Sequence, residues 1–268
     1  MLNAIRHLFR SRQERTHPAA AVPPGERVYA VGDIHGRLDL FEELIRAIEA
    51  DDSARDGART TVILLGDLID RGPDSAGVIR TAREWSQRQT VRIIAGNHEE
   101  MLLQSLEKPE VLRVFMRHGG RETVMSYPVD PVAYADADWD TLRDLIAAAI
   151  PAEDLMFIRG FENTIRIGDY AFVHAGIMPQ VPLAAQQVGD LRWIREPFLS
   201  HDGDHGYIVV HGHTITDDVV LKPNRIGIDT GAFSSGRLTA LGLEGSDRWL
   251  IETRDDDGSI TSQSRIIA

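Results

Sequence analysis

The 268-residue sequence contains no cysteine. This absence excludes disulfides, thiolate-ligated metal sites and a cysteine nucleophile together. A metal ion bound by this chain must therefore be held by imidazole, carboxylate or amide oxygen. The absence also agrees with a reducing compartment, and we expect a cytoplasmic protein.

Long apolar runs and an excess of basic residues are missing as well. No apolar stretch approaches the roughly 20 residues that a membrane-spanning helix needs, so we expect no transmembrane segment. Lys and Arg number 29 against 41 Asp and Glu, which gives a net charge of -12. Binding of nucleic acid requires many contacts from Lys and Arg to phosphate, so we expect no nucleic-acid partner.

The sequence predicts two parts, a basic N-terminal tail with its linker over 1–26 and one domain over 27–268. The hydrophobic fraction of 43% supports a sizeable core. Residues 1–15 carry four arginines between apolar residues, a pattern that allows a short basic amphipathic helix. The favoured interpretation is a frayed tail before the Pro/Ala-rich linker at 18–24.

Apolar, β-branched runs alternate with helical periodicity in the first half. Strands are predicted at 27–31, 60–65 and 91–95, and helices at 38–50 and 75–87. Strand–helix alternation at this spacing indicates βαβ units and a largely parallel sheet.

The second half begins with a mostly helical region at 99–152, broken near Pro128 and Pro131. Short strands separated by Gly and Asp turns follow, and they favour a second, mixed or antiparallel sheet. They are predicted at 164–167, 170–173, 207–210, 225–228, 238–243 and 248–252. The predicted fold class is therefore α/β, with a two-sheet β-sandwich flanked by helices.

Five short motifs that contain glycine follow predicted strands. They are GDIHG at 32–36, GDLIDRG at 66–72, GNHE at 96–99, HAG at 174–176 and HGHT at 211–214. Open α/β sheets bind ligands at the carboxyl ends of their strands, and glycine permits close approach of the backbone to an ion. One such motif would be weak evidence, but five in order indicate an active site.

The motifs carry a plausible set of ligands for two cations. Asp33 and His35 are two residues apart, so at a strand end both side chains can bind one cation. Asp67 can bridge two cations, and the second site would be completed by Asn97, His174 and His213. These ligand types suit Mn, which we favour, or Fe or Zn. Two such ions share a water whose pKa is lowered, which supplies hydroxide near neutral pH.

Other residues of the motifs suit a phosphorylated substrate. Arg71 and Arg195 can bind phosphate oxygens through their planar guanidinium groups. His98 is placed to protonate the leaving oxygen, and Asp70 can orient it as a carboxylate partner. With these groups no phosphoenzyme is required.

In this order the motifs resemble the signature of the phosphoprotein phosphatase family of calcineurin-like metallophosphoesterases, particularly its bacterial and phage serine/threonine phosphatase branch. The resemblance covers roughly Arg27 to Leu243, and 228–232 resembles the late strand-and-turn motif of the family. It implies a two-sheet sandwich, a dinuclear centre and the ligand, acid and arginine roles given above. Leu68-Ile69 departs from the aromatic residue and valine of many relatives, and 117–152 lies outside the strongest motifs.

The resemblance favours hydrolysis of phosphoserine or phosphothreonine in proteins by direct attack of metal-bound hydroxide. The alternative is a symmetrical diadenosine tetraphosphate hydrolase with the same metal centre. The sequence resembles that branch at His174–Ile177 and at the following Pro179-Gln180. Asp70 and Glu99 favour the protein phosphatase.

A broader phosphodiesterase is a weaker possibility. A metal-binding module without turnover is disfavoured because every acid and arginine position is filled. The expected partner is a phosphoprotein or a small phosphorylated molecule.

Some histidines are predicted to lie outside the ligand set. His118 follows a helical stretch rather than a strand, so His174 is preferred as the ligand. His211 and His213 share a face by alternation, and the motif favours His213 as the ligand, with His211 packing behind it.

Overall fold

The computed structural model describes residues 20–267, in which two β-sheets pack face to face between layers of helices. This arrangement confirms the predicted fold class. The predicted basic tail falls outside the described residues, and the boundary between tail and domain stays a prediction. Within the described range, no helix combines the length and apolar character needed to cross a membrane.

The element order alternates strands and helices in the first half and is richer in strands at the end. The strands are β1 (Glu26–Val31), β2 (Arg59–Leu64), β3 (Val91–Ile93), β4 (Ile165–Ile167), β5 (Tyr170–Phe172), β6 (Ile208–His211), β7 (Val220–Leu221), β8 (Arg225–Gly227), β9 (Arg237–Glu244), β10 (Asp247–Asp256) and β11 (Ser259–Ile267). The α-helices are α1 (Leu38–Ala54), α2 (Ser75–Arg88), α3 (Asn97–Ser105), α4 (Pro109–Phe115), α5 (Arg121–Ser126), α6 (Pro131–Asp136), α7 (Trp139–Ala149), α8 (Ala152–Arg159), α9 (Val188–Trp193) and α10 (Ala232–Ser235). A π-helical turn (Met116–Gly120) joins α4 to α5, and a 3-10 turn spans Leu183–Ala185.

The first sheet has the order β11-β10-β9-β1-β2-β3, with β1, β2 and β3 parallel as predicted. Successive side chains of a strand point to opposite faces, and β1 shows the consequence. Val28 and Ala30 pack in the layer between the two sheets. Tyr29 and Val31 pack on the other face, against apolar residues of α1 and α2. Both faces of β1 are therefore buried.

The second sheet has the order β4-β5-β6-β8-β7 and is mixed, as predicted. One part of the prediction was wrong. The strands expected at 238–243 and 248–252 belong to the first sheet, where β9 pairs antiparallel with β1 and β10 pairs with β9. Their alternating pattern predicts a strand but does not identify its partner, because pairing depends on contacts distant in sequence.

The helical region lies between the two sets of strands. Helices α3 to α8 fill 97–159, and α6 begins at Pro131 after a break that follows Ser126, as the prolines predicted. Each of the five glycine motifs begins at the end of a strand or within three residues of it, after β1, β2, β3, β5 and β6 in turn. The carboxyl ends of these strands therefore determine where the candidate site forms.

Candidate metal and phosphate site

Three of the predicted ligands have an unusual backbone conformation. His35, Asp67 and His213 have φ angles of 46°, 51° and 62°, in the left-handed region that non-glycine residues rarely adopt. Such residues persist where the surroundings fix them, and they concentrate at functional sites. The N–H of His35 donates to the Asp67 carbonyl at 2.9 Å, which ties the first two motifs together.

Two motif glycines allow carboxylates to approach the backbone. A methyl group at Gly96 would overlap Oδ1 of Asp67, and one at Gly212 would overlap Oδ1 of Asp33. These positions therefore need glycine for space. The close approach lets the N–H of His98 donate to Asp67 at 3.0 Å and the N–H of His213 donate to Asp33 at 3.1 Å.

The carboxylate of Asp67 lies at the centre of the cluster. Its Oδ2 is 3.4 Å from His174 Nε2, 3.6 Å from His35 Nε2 and 3.9 Å from His98 Nε2. All four side chains are buried. Two groups of potential ligand atoms share this carboxylate, and the atoms within each group lie within 4.8 Å of one another. One group is His35, Asp67 and His98, and the other is Asp67, His174 and His213. A shared central carboxylate is the arrangement that two neighbouring cations need.

Two predicted ligands lie at the margin of these groups. The Asn97 side-chain oxygen is 2.9 Å from His174 Nε2, so it lies beside the second group. Asp33 falls outside both groups of ligand atoms, and its carboxylate accepts the N–H of His213. His98, predicted as an acid, falls within the first group instead.

The ring orientations of two histidines suit metal binding. Nδ1 of His35 is 2.8 Å from the Ile69 carbonyl, and Nδ1 of His174 is 2.8 Å from the Leu65 carbonyl. A carbonyl only accepts, so Nδ1 of each ring carries a proton and Nε2 points toward Asp67. Histidine ligands of metals are commonly oriented by this kind of hydrogen bond.

The charge of the cluster also fits cations. Burial raises the pKa of Asp33 well above its usual range, and repulsion from Asp229 and Asp67 adds to this. Burial lowers the pKa of His174, but attraction to Asp67 and Asp33 outweighs it and raises the pKa to about 10. Burial lowers the pKa of His35 to about 3, which leaves a neutral ring able to coordinate. Buried carboxylates that repel one another and the neutral imidazole of His35 both match a site for divalent ions.

The predicted acid pair is formed. His98 Nδ1 and Asp70 Oδ2 are 2.6 Å apart, and both side chains are fully buried. Burial lowers the pKa of His98, yet attraction to Asp67 and the bond to Asp70 raise it overall. Arg71 lies beside this pair, with its guanidinium 2.8 Å from His35 Nε2 and 2.9 Å from His98 Nε2.

The second predicted arginine, Arg195, lines an open cleft of about 380 Å³. The cleft is lined by Asp67, Arg71, Asn97, His118, Trp193, Arg195, His213 and Ile215. Arg195 is exposed, and its guanidinium donates to the Thr214 hydroxyl at 3.1 Å. Arg195 and Arg71 therefore line the same cleft as Asp67 and Asn97. Neither His118 nor the buried His211 belongs to the two ligand groups, but His118 lines the cleft, a position that the sequence did not predict.

Three residues support the site in ways that the sequence did not predict. Glu99 accepts N–H bonds from Gly96, Asp67 and Leu68 at 2.8 to 3.0 Å. A Glu three residues after the N-cap of a helix is the second half of a capping box, and this signal could have revealed the bond to the Gly96 N–H. Phe233, whose ring lies 4.7 Å from the Arg71 guanidinium, and Thr123, which contacts Asp70, carry no such signal.

Comparison with known proteins supports a family assignment. The family model described as calcineurin-like phosphoesterase matches residues 26–231. A symmetrical bis(5'-nucleosyl)-tetraphosphatase of Acidovorax ebreus is 31% identical over 181 residues, which are 66% of this chain and 49% of that protein. The chain thus spans about half the length of this relative. The serine/threonine-protein phosphatase 1 of Salmonella typhimurium is 28% identical over 242 residues, or 85% of this chain and 97% of that protein.

Solved structures show the same fold. A crystal structure provisionally described as a diadenosine tetraphosphatase superposes with a TM-score of 0.60 at 24% identity, and the match covers 92% of this chain and 98% of that one. The two-sheet arrangement with flanking helices is therefore common to both.

Proposed function

Because the chain belongs to the calcineurin-like phosphoesterase family, and is therefore a metal-dependent phosphoric ester hydrolase, we propose that it cleaves dinucleoside tetraphosphates. The observation that carries this proposal is the composition of the cleft. Arg71 and Arg195 both line it, and the Trp193 indole, 42% exposed, forms part of its wall. A polyphosphate needs several cationic contacts, and a nucleobase stacks on an aromatic face.

We assign two divalent ions, with Mn favoured over Fe or Zn, to Asp33, His35, Asp67, Asn97, His174 and His213. When bound, two such ions would supply polarisation of the phosphoryl group and a lowered pKa of a nearby water. The buried negative charge around Asp67 and the oriented rings of His35 and His174 support this assignment. Glu99 holds the Asp67 backbone and so fixes the central carboxylate.

His98 is assigned as the donor of the proton that the leaving oxygen takes up, and Asp70 as the group that orients it. In the arrangement described here Arg71 donates to Nε2 of His98 and Nε2 of His35. A phosphoryl group that accepts the Arg71 N–H groups releases both nitrogens, and Nε2 of His98 can then take up from water the proton that it donates to the leaving oxygen. Substrate binding by Arg71 is thereby linked to the availability of the acid and of the ligand.

A second candidate, hydrolysis of phosphoserine or phosphothreonine in proteins, has its own support. The Salmonella serine/threonine-protein phosphatase aligns over 97% of its length, whereas the Acidovorax tetraphosphatase aligns over 49%. A phosphoryl group on a protein would use the same arginines, since both line the open cleft, and the same acid, which contacts Arg71.

The two candidates are separated by measuring the metal-reconstituted protein on diadenosine tetraphosphate and a phosphothreonine peptide in parallel. We expect a higher kcat/KM on the dinucleotide, with Mn restoring activity to the metal-stripped protein. The symmetrical reaction would yield two molecules of ADP. A higher kcat/KM on the peptide would overturn the first candidate in favour of the second.

A further inference from the structure

The segment formed by α4, the π-helical turn and α5 (109–126) lies outside the glycine motifs, yet it contacts the turn at Asp70 and Arg71. We propose that Thr123 on α5 is a positioning residue that fixes the Asp70 carboxylate and, through it, the ring of His98. The inference rests on the proposed role of His98 as the proton donor. It adds a part of the chain to the site that the motifs do not include.

The backbone of the Asp70–Arg71 turn shows why an outside support is needed. Asp70 and Arg71 have φ angles of 73° and 70°, two successive non-glycine residues in the left-handed region. Such a turn persists only where neighbours fix it. The N–H of Asp70 donates to Thr123 Oγ1 at 2.8 Å, and the N–H of Arg71 donates to the Gly119 carbonyl at 3.1 Å. The segment therefore supports both residues of the turn.

The side chain of Thr123 also binds the carboxylate itself. Its Oγ1 is 2.5 Å from Asp70 Oδ1, while His98 Nδ1 is 2.6 Å from Oδ2. A hydroxyl has one proton and a carboxylate only accepts, so that proton lies between Thr123 and Asp70. Each carboxylate oxygen thus has a partner, and the plane of the carboxylate is fixed from both ends.

Burial makes the loss of this hydroxyl consequential. Thr123, Asp70 and His98 are all 0% exposed. Removing the hydroxyl leaves Oδ1 without this partner and allows the carboxylate to turn about its bond to the chain. Because His98 takes its orientation from the other oxygen, the imidazole would lose its alignment with the leaving oxygen.

Thr123→Val removes the hydroxyl and keeps the shape, and Thr123→Ser keeps the hydroxyl as its matched control. The two are compared on phenyl phosphate, whose leaving group needs a proton, and on 4-nitrophenyl phosphate, whose leaving group does not. For Thr123→Val we expect kcat on phenyl phosphate to fall by about 10-fold or more. General acid catalysis contributes a rate enhancement of roughly 100-fold, and the variant should lose a part of it. We expect a smaller loss on 4-nitrophenyl phosphate, and unchanged KM and metal content. Thr123→Ser should stay within about threefold of the parent protein.

An equal loss on both substrates would overturn the proposal, because it would indicate a structural effect without a link to proton donation. A second test combines Thr123→Val with His98→Asn. Residues that act through one another are not additive, so the double variant should lose no more than His98→Asn alone. A multiplied loss would contradict the coupling. If Thr123→Val does not fold, Thr123→Ala takes its place in both tests.

His98→Asn also separates this inference from the proposed function. A loss larger on phenyl phosphate than on 4-nitrophenyl phosphate supports the acid role of His98. If that dependence is present in His98→Asn and absent in Thr123→Val, the positioning role alone is wrong. If it is absent in His98→Asn, the assignment of the acid is wrong.

Discussion

The floor and the rim of the cleft are built in different ways. The floor is the largely buried set around Asp67, whose residues come from strand ends. Three of them, His35, Asp67 and His213, have backbones in the left-handed region. The rim consists of exposed side chains, with Trp193 on α9, Arg195 after it and His118 on the π-helical turn. The floor is fixed by many buried contacts, so it allows little variation. The rim has few such contacts and can change without disturbing the chemistry, which suits it to determine the substrate.

The largest effect is expected at the floor, from Asp67→Asn. The amide is nearly the same size but lacks the charge that faces His35, His174 and His98. We expect metal occupancy to fall and kcat/KM to drop by at least about 100-fold, the upper end for groups that support a metal site. Metal analysis of the purified variant, beside the exposed-site control Asp247→Asn, measures this. Full occupancy in Asp67→Asn would contradict the central role of this carboxylate.

A smaller effect is expected one layer behind the floor, from Glu99→Gln. The Glu99 carboxylate accepts three backbone N–H groups, and an amide nitrogen in place of either oxygen loses at least one of them. We expect the free energy of unfolding to fall by about 1–3 kcal/mol, the cost of a buried unpaired group. Metal affinity should fall by about 10-fold. Denaturant unfolding and metal titration beside the exposed control Glu110→Gln test both, and unchanged stability would show that the three bonds contribute little.

The contrast also explains how much could be predicted from the sequence. Asp67, Asn97 and His174 follow strands, and the carboxyl ends of neighbouring strands meet at one edge, so local motifs predict their proximity. The pairing of β9 with β1 was not predictable in this way, because a strand pattern does not specify a distant partner. Thr123 reaches Asp70 from a helix 53 residues away, and nothing in the local pattern distinguishes it from other threonines.

The smallest effect is expected at the rim, from Trp193→Ala. The indole N–H donates to Glu100 at 2.8 Å, which holds the exposed ring in one orientation at the cleft wall. If a base of the dinucleotide stacks on this ring, loss of the indole should raise KM for diadenosine tetraphosphate by about fivefold, near the lower limit for base–aromatic stacking. The KM for 4-nitrophenyl phosphate and the metal content should not change, because neither involves the ring.

Trp139 provides a matched control for this prediction. It is also 42% exposed, but it begins α7 and is absent from the cleft lining. Trp139→Ala should leave both KM values unchanged, which removes general effects of losing an exposed indole. A rise in KM for both substrates in Trp193→Ala would indicate that the ring positions Arg195, two residues along the chain, rather than a base. An unchanged KM for the dinucleotide would remove the aromatic wall as an argument for a nucleotide and leave the protein-phosphatase candidate better supported.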